Sequence, residues 1–458
     1  MPGDLGAEGF VIHGRVSSAL FGPAETPATL DLGRAAPHHG TMHVLVLGAG
    51  VVGLSTAHLL AAEGWRVTVL DAEHSPGRGA SFANGGQLSY SYVAPFAGPG
   101  VLGKVPSWLM DPDGPLRFRP EADPHQWKWL LQFIRACNAE TAEQTTRRLL
   151  LLSYLSRDLM RETVALPDLD FDFTRAGKLV VQPDEGGMAG ARRQMELQAR
   201  LGSQQRSLSR EECLEAEPAL RHIAHRIAGG ILTESEEAGD ARRFSEALAE
   251  RLTRGNAAVT LRLGMRIRQI VRADGRIRAV ATEQGPIEAD HFVVALGNGA
   301  WPLLRPLGLD LPIYPLKGYS LTLDVVDESE APRLSITDSA AKVVYARLGK
   351  RLRVAGMADL VGHDRRIEES RLTTLLRQAR AAFPGASDWG EIRPWAGLRP
   401  STPTGLPILG PTRAAPNLWL NVGHGSLGFT LAMGSAAVVA AMMAGRRTPI
   451  PTEGFTLP

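Results

Sequence analysis

Short apolar runs bounded by glycine set the pattern of this chain. Val44–Leu47 is one, followed by Gly48, Gly50 and Gly53, a small-residue helical stretch, and a second run, Val67–Leu70, ending on Asp71. This predicts a strand, a tight turn, a helix and a second parallel strand. Apolar positions then recur at three and four through Trp127–Phe133 and Leu149–Met160, which predicts helix over 121–165. Thr174–Gln182 reads as a strand, and 186–216 as helix with a turn at Gly202. Gly229–Asp240 reads as a loop whose last residue caps a helix at 241–253. From Ala258 the period changes to two. V-T-L-R-L, I-R-Q-I-V and I-R-A-V-A-T, separated by Asp274-Gly275 and Gln284-Gly285, predict a small meander. His291–Gly297 has the continuous apolar character of a buried parallel strand. Alternating strands fill 312–360, a helix follows at 367–383, and Leu418–Gly425 is a last strand. Proline, glycine and aromatics predict irregular structure through 90–120.

The order of these elements implies the architecture. An opening strand–helix–strand unit needs further parallel strands, and His291–Gly297 and Leu418–Val422 are the best candidates. The nucleotide domain is therefore expected in pieces, 42–95, 225–300 and 396–450, with a substrate domain from 96–224 and 301–395. The predicted fold class is α/β: a Rossmann-like FAD-binding domain of the glutathione-reductase type with an inserted antiparallel-β domain. Discontinuous assembly with one G-x-G-x-x-G at the start points to FAD rather than to a nicotinamide cofactor. Residues 1–41 carry no signal-peptide pattern and are expected to be a disordered extension. Ser426–Gly445 has the length of a bilayer span, but its Ala, Gly, Ser and Thr content predicts a buried helix.

Composition narrows the class. The chain is 44% hydrophobic and 21% charged, as in soluble globular proteins, and a net charge of +2 gives no footing for nucleic acid. Two cysteines without a C-x-x-C support neither a disulfide framework nor a metal site, and fit a reducing, cytoplasmic setting.

The candidate chemistry falls into two groups. At the cofactor end, Gly48 permits the tight turn, Gly50 lets a pyrophosphate approach, and Gly53 brings helix and sheet together. Ala49, Val51 and Val52 complete that turn and helix end. Asp71, 18 residues after Gly53, is placed for a ribose hydroxyl. Ser81, Asn84, Gly85 and Gly86 are candidates to lie beside the isoalloxazine ring, an ordinary Asn-Gly turn being the alternative. Gly297 closes its strand. Gly423, Gly425, Ser426, Leu427 and Gly428 lead into a helix whose N-terminus would steady negative charge on the reduced ring. Ile267 is a candidate backbone contact to adenine. At the substrate end, Arg399 sits in a Gly/Pro-rich connector, off any amphipathic face, where a guanidinium can grip a carboxylate. Lys317 and Tyr319 either line the pocket or fill a sheet face, and Tyr345 is expected to pack.

With these residues in view, the chain resembles the D-amino-acid dehydrogenase small-subunit type within the D-amino-acid oxidase and glycine oxidase family. The resemblance runs from about Met42 to residue 450 through G-A-G-V-V-G, A-N-G-G-Q, Y-P-L-K-G-Y-S-L-T, R-V-A-G-M-A, G-L-R-P-S-T-P and G-H-G-S-L-G-F-T. It implies non-covalent FAD, and hydride transfer from the α-carbon of a D-amino acid to flavin N5. The imino acid then hydrolyses to a 2-oxo acid and ammonia. It implies Arg399 as the carboxylate clamp and a quinone or other respiratory carrier as electron acceptor. Ser426 stands where glycine oxidase has a second arginine, and valine where the oxidases use a substrate tyrosine. Thr404 replaces an aspartate, and Tyr90-Ser91 replaces Pro-Gly in an expected pocket loop. D-hydroxyproline, glycine or sarcosine are alternative substrates, and a non-catalytic FAD-binding subunit is the alternative of another class. Val101–Leu116 is expected as a covering loop, or as a peripheral contact with the inner face of the cell membrane.

Overall fold

The opening apolar run becomes the centre of a six-stranded sheet. A computed structural model describes residues 42–93, 95–254 and 258–457, together with two short paired strands, His13–Gly14 and Leu30–Asp31. The expected disorder of 1–41 otherwise lies outside the described residues. The sheet runs Val259–Arg262, Arg66–Leu70, His43–Leu47, His291–Val294, Leu418–Val422 and Ile408–Pro411. All neighbours are parallel except the last pair. The two late strands thus flank the opening unit from across the sequence, as the discontinuous reading requires.

Alternate side chains of these strands enter two cores. Val44, Val46, Val67 and Val69 face helices Val51–Ala62, Ala139–Val164, Ala241–Thr253 and Gly428–Met443. Leu45, Leu47, Leu70 and Phe292 face a three-stranded meander, Ile267–Ala273, Arg276–Thr282 and Gly285–Glu288. V-T-L-R-L, expected in the meander, is instead the edge strand of the parallel sheet. Gly425–Met443 is long and apolar enough to cross a membrane, but its helix, Gly428–Met443, lies buried against Val51–Ala62 and Ala139–Val164. Ala139–Val164, assigned by chain position to the substrate domain, therefore packs into the nucleotide-binding half.

The second sheet has nine strands. Its path is Arg393–Ser401, Tyr314–Asp324, Arg351–Leu360, Val343–Leu348, Ser335–Asp338, Lys178–Gln182, Gly229–Thr233 and Arg206–Ser209, with Leu116–Phe118 on the end of Arg351–Leu360. It is mixed rather than antiparallel, because Ser335–Asp338 runs parallel to Lys178–Gln182 and Leu116–Phe118 parallel to its neighbour. Four local expectations are corrected. Arg393–Ser401 belongs whole to this sheet, so a boundary at 396 cuts a strand. Gly229–Thr233 is a fully buried strand, whose two glycines and lack of alternation disguise it as a loop. The 186–216 stretch contains the short polar strand Arg206–Ser209. The irregular 90–120 stretch contains a helix, Val101–Met110.

Close helix packing gives a stability test. A Cβ on Gly434 would sit 2.5 Å from the Leu152 carbonyl oxygen, whereas one on Gly103 meets open space. Gly434→Ala should cost about 1–3 kcal/mol through overpacking, while Gly103→Ala should be neutral or slightly stabilising. Thermal melting of both variants beside wild type checks this.

Candidate active site

The glycine turn is as tight as its spacing implies. Gly48 has φ +114, and a Cβ there would lie 2.6 Å from the Ala295 carbonyl oxygen. A Cβ on Gly53 would collide with the Gly48 carbonyl, so strand and helix meet backbone to backbone. Gly50 is the N-cap of Val51–Ala62 and offers no side chain to it. The Val51 N–H donates to Ser81 Oγ at 3.2 Å. Asp71 accepts from the Ala49 N–H at 2.7 Å and the Glu73 N–H at 2.9 Å, and burial raises its carboxyl above the usual range. A carboxylate with two such bonds still has lone pairs for a hydroxyl.

The other predicted cofactor segments converge on one face of the second sheet. Ser320 Oγ donates to the Ala83 carbonyl and Arg353 Nη1 to the Asn84 carbonyl, both at 2.6 Å. The Asn84 side chain accepts from the Gly86 N–H, with Gly86 at φ +68. A Cβ on Gly85 would touch Val344 at 3.1 Å. Gly297 abuts Pro400, Gly425 abuts Ser401, and a Cβ on Gly423 would press on Thr402 at 2.8 Å. Ser426 and Leu427 form the turn that leads to Gly428 and the buried helix, again without a side-chain cap. Ile267 starts the meander two residues after Met265, whose N–H donates to the Asp71 carbonyl, so it lies at the acid's end of the site. His424 is a hydrogen-bonder to Ser435, and burial pushes it down to about 3, so it is neutral.

These residues fit FAD. The glycine turn admits a close approach, two helices begin without caps, and an acid stands at the end of the second strand. Asn298 adds an orphan: its Nδ2 donates to the Leu398 carbonyl, while its buried Oδ1 has no partner among the described residues. Both strand ends that carry Gly297 and Gly423 are carboxyl ends, where open α/β sheets bind ligands.

Arg399 is the sharpest feature. It pairs across the sheet with Leu316, on the same face as Gly318, Ser320, Ala355, Val344 and Thr337. Its Nη1 donates to the Met357 carbonyl at 2.8 Å, and it forms no ion pair among the described residues. Burial pushes its pKa down to about 10, opposed only by the charge of Asp359. Along these pairings the face carries Arg399, Arg353, Arg351, Arg393 and Lys178; its one acid among the paired residues is Asp324, at the end of its strand and ion-paired with Arg393.

Lys317 and Tyr319 are corrected. They alternate onto the opposite face, where Tyr319 packs among Leu321, Tyr345 and Phe383 and its hydroxyl donates to Asp359 at 3.0 Å. Lys317 Nζ donates to the Arg366 carbonyl. Neither reaches the space beside Arg399. Tyr345 packs edge-on against Phe383, as expected. Tyr90 and Ser91, expected in the pocket loop, are buried. Their N–H groups donate to Glu236, and the Tyr90 hydroxyl to Glu237. Gly318 was missed by sequence reasoning: a Cβ there would collide with the Arg399 guanidinium. A glycine inside a strongly alternating strand was the available signal.

Residues 43–442 match the family described as FAD dependent oxidoreductase (DAO). The chain is 48% identical over 425 residues to D-amino acid dehydrogenase 2 of Ralstonia nicotianae, covering 91% of this chain and 100% of that protein. It is 46% identical to D-amino acid dehydrogenase 2 of Pseudomonas aeruginosa, over 90% of this chain and 97% of that one. Among solved structures, L-proline dehydrogenase from P. horikoshii superposes with a TM-score of 0.71 at 17% identity, over 91% of this chain and 96% of that one. Glycine oxidase from Geobacillus kaustophilus gives 0.69 at 21%, over 91% and 99%. The chain belongs to the FAD dependent oxidoreductase family.

Gly53→Ala tests the cofactor assignment. The added methyl has no room against the Gly48 carbonyl, so the variant should purify with flavin affinity reduced at least about tenfold. Visible absorbance of the purified protein and titration with FAD measure it.

Proposed function

We propose that this chain oxidises D-amino acids at the α-carbon. The sum is D-amino acid, water and oxidised acceptor giving 2-oxo acid, ammonia and reduced acceptor. The observation that carries it is Arg399, a part-buried guanidinium without a carboxylate partner among the described residues, beside the A-N-G-G-Q loop's sheet face. The names of the relatives at 46–48% identity support the D-amino acid as substrate.

The chain's own contribution is binding and orientation. Arg399 takes the α-carboxylate through paired N–H donors. That fixes the α-carbon relative to the A-N-G-G-Q loop and the turn at Gly423–Gly428. Bound FAD supplies the hydride acceptor. The one acid that the strand pairings place on the inner face, Asp324, is ion-paired with Arg393 at the end of its strand, so the amine must arrive neutral and geometry does the rest. A face whose one acid is held by Arg393 suits hydride transfer over a mechanism that begins with proton abstraction.

Reduction of the flavin under anaerobic conditions tests this. Several D-amino acids, and not their L-forms, should bleach the visible flavin band. Arg399→Ala should keep its flavin and lose at least about a hundredfold in kcat/KM, about 3 kcal/mol of anchoring. Bleaching by a cyclic imino acid alone would replace the substrate, and no bleaching by any amine would remove the enzymatic reading.

For the acceptor, the reading is a membrane quinone. Val101–Met110 supports it: no residue of this helix is buried, and Leu102, Leu109 and Met110 are 41%, 44% and 78% exposed beside Phe96 at 51%. Apolar side chains held in solvent around a tryptophan and a lysine (Trp108, Lys104) suit a lipid interface. Replacing Leu102, Leu109 and Met110 by serine should abolish co-sedimentation with lipid vesicles while leaving turnover with a soluble dye intact. Unchanged sedimentation would reject this contact.

A further inference from the structure

The aim of Arg399 is set by a defect in the strand beside it. Lys317 pairs with Asp359, but Tyr319 pairs with Gly356, so Gly318 faces both Met357 and Ala358. This is a β-bulge, and such bulges recur where a sheet must re-aim a group next to a site. Met357 occupies it at φ +66, a left-handed conformation that few residues other than glycine adopt. The consequence is the hydrogen bond already described, in which the Met357 carbonyl accepts from Arg399 Nη1. Across the bulge, Gly318 leaves open the volume that the guanidinium fills.

A strained residue persists only where its surroundings over-determine it. Contacts of Asp359, Arg371 and Ala358 do so here. Asp359, two residues on, forms a fully buried ion pair with Arg371 and accepts from the Tyr319 hydroxyl. Arg371 Nη1 also donates to the Gly114 carbonyl at 2.5 Å. The Ala358 N–H donates to the Pro115 carbonyl at 2.7 Å, and Ala358 pairs with Leu116 as a strand begins there. The chain leaving the Val101–Met110 helix is thus stitched to the bulge itself.

We propose that Gly318 and Met357 are positioning residues for the carboxylate clamp, with Asp359, Arg371 and Tyr319 locking the bulge from the opposite face. The inference rests on Arg399 as carboxylate anchor. It gives Tyr319 a role at one remove from the substrate, through Asp359 and the backbone of residue 357.

The test is a double-mutant cycle on the flavin-loaded enzyme, read with a D-amino acid and, separately, with acetate or propionate titrated against the flavin spectrum. Gly318→Ala should raise KM and the carboxylate Kd about 10- to 100-fold, the range of a lost charge-assisted pair, with kcat at saturation changed far less. In an Arg399→Ala background the same substitution should add less than about twofold. Met357→Val, β-branched at a positive φ, should reproduce the KM signature if Gly318→Ala does not accumulate as folded protein. Equal effects of Gly318→Ala with and without Arg399, or an unchanged carboxylate Kd in both single variants, overturn the proposal. Wild type that binds acetate yet is not reduced by D-amino acids would sink the substrate reading while leaving the socket standing.

Discussion

A part-buried guanidinium with no counter-ion among the described residues is the constraint around which this site is arranged. Desolvation of a charge costs several kcal/mol unless the protein or a ligand replaces the lost solvent. Arg353, on the same sheet face, meets that cost with Asp240, Thr322 and the Asn84 carbonyl. Lys178 meets it with Gln87, Ser89 and the face of the Tyr92 ring. Arg399 has one carbonyl, from Met357. These three cations differ in what completes them, and that difference is why Arg399 is the proposed anchor while Arg353 and Lys178 are tied into the fold.

The two faces of the second sheet divide the work. The outer face is apolar and seals against the Glu369–Ala382 helix, with Leu179, Ile336, Tyr345, Val354 and Leu321 in one core. The inner face mixes Ser, Thr, Ala and Gly, which leave room, with Leu316, Val344 and the cations. Sequence showed these strands by their alternation but not which parity faced inward. Lys317 and Tyr319 therefore entered as pocket candidates alongside Arg399, although they sit on the other side of the backbone. A one-residue change of parity moves a side chain from core to cleft, and no local pattern fixes it. The glycine turn, the A-N-G-G-Q loop and Arg399 were legible because each depends on local chemistry. The bulge at Met357 was not, because it exists only in the pairing of two strands.

Buried polar groups also decide what cannot set substrate choice. Burial raises the Glu236 carboxyl and lowers the Lys178 ammonium, each tempered by the other's charge. Glu236 nevertheless holds the Tyr90 and Ser91 N–H groups, Gln198 binds the Ser91 carbonyl, and Ser153 the Tyr90 carbonyl. Tyr90 and Ser91 are thereby fixed in a packed network and withdrawn from the cleft. The first residue of this segment with substantial exposure is Tyr92, stacked over Lys178. Tyr90 and Ser91 are held by Glu236, Ser153 and Gln198 rather than facing open space.

Helix ends carry the same logic into the cofactor half. Pro124–Ala136, Ala139–Val164, Glu185–Ala199, Arg210–Ala216 and Ala241–Thr253 begin with side-chain caps from Asp123, Asn138, Asp184, Ser209 and Asp240. Val51–Ala62 and Gly428–Met443 begin without one, on Gly50 and Leu427. Glu369–Ala382, Val101–Met110 and the short Ala300–Leu304 also lack caps; Glu369 and Gly100, at the starts of the first two, are exposed, so water serves there. The two helices that run through the core open at partly exposed residues, Gly50 and Leu427–Gly428, where a ligand acceptor can take the place of water on the uncapped N–H groups. A phosphate at the first and a reduced ring at the second would each be that acceptor. On this account, the missing caps and the missing partner of Arg399 are one property expressed at three places. Cofactor and substrate complete the hydrogen bonding that the chain leaves open.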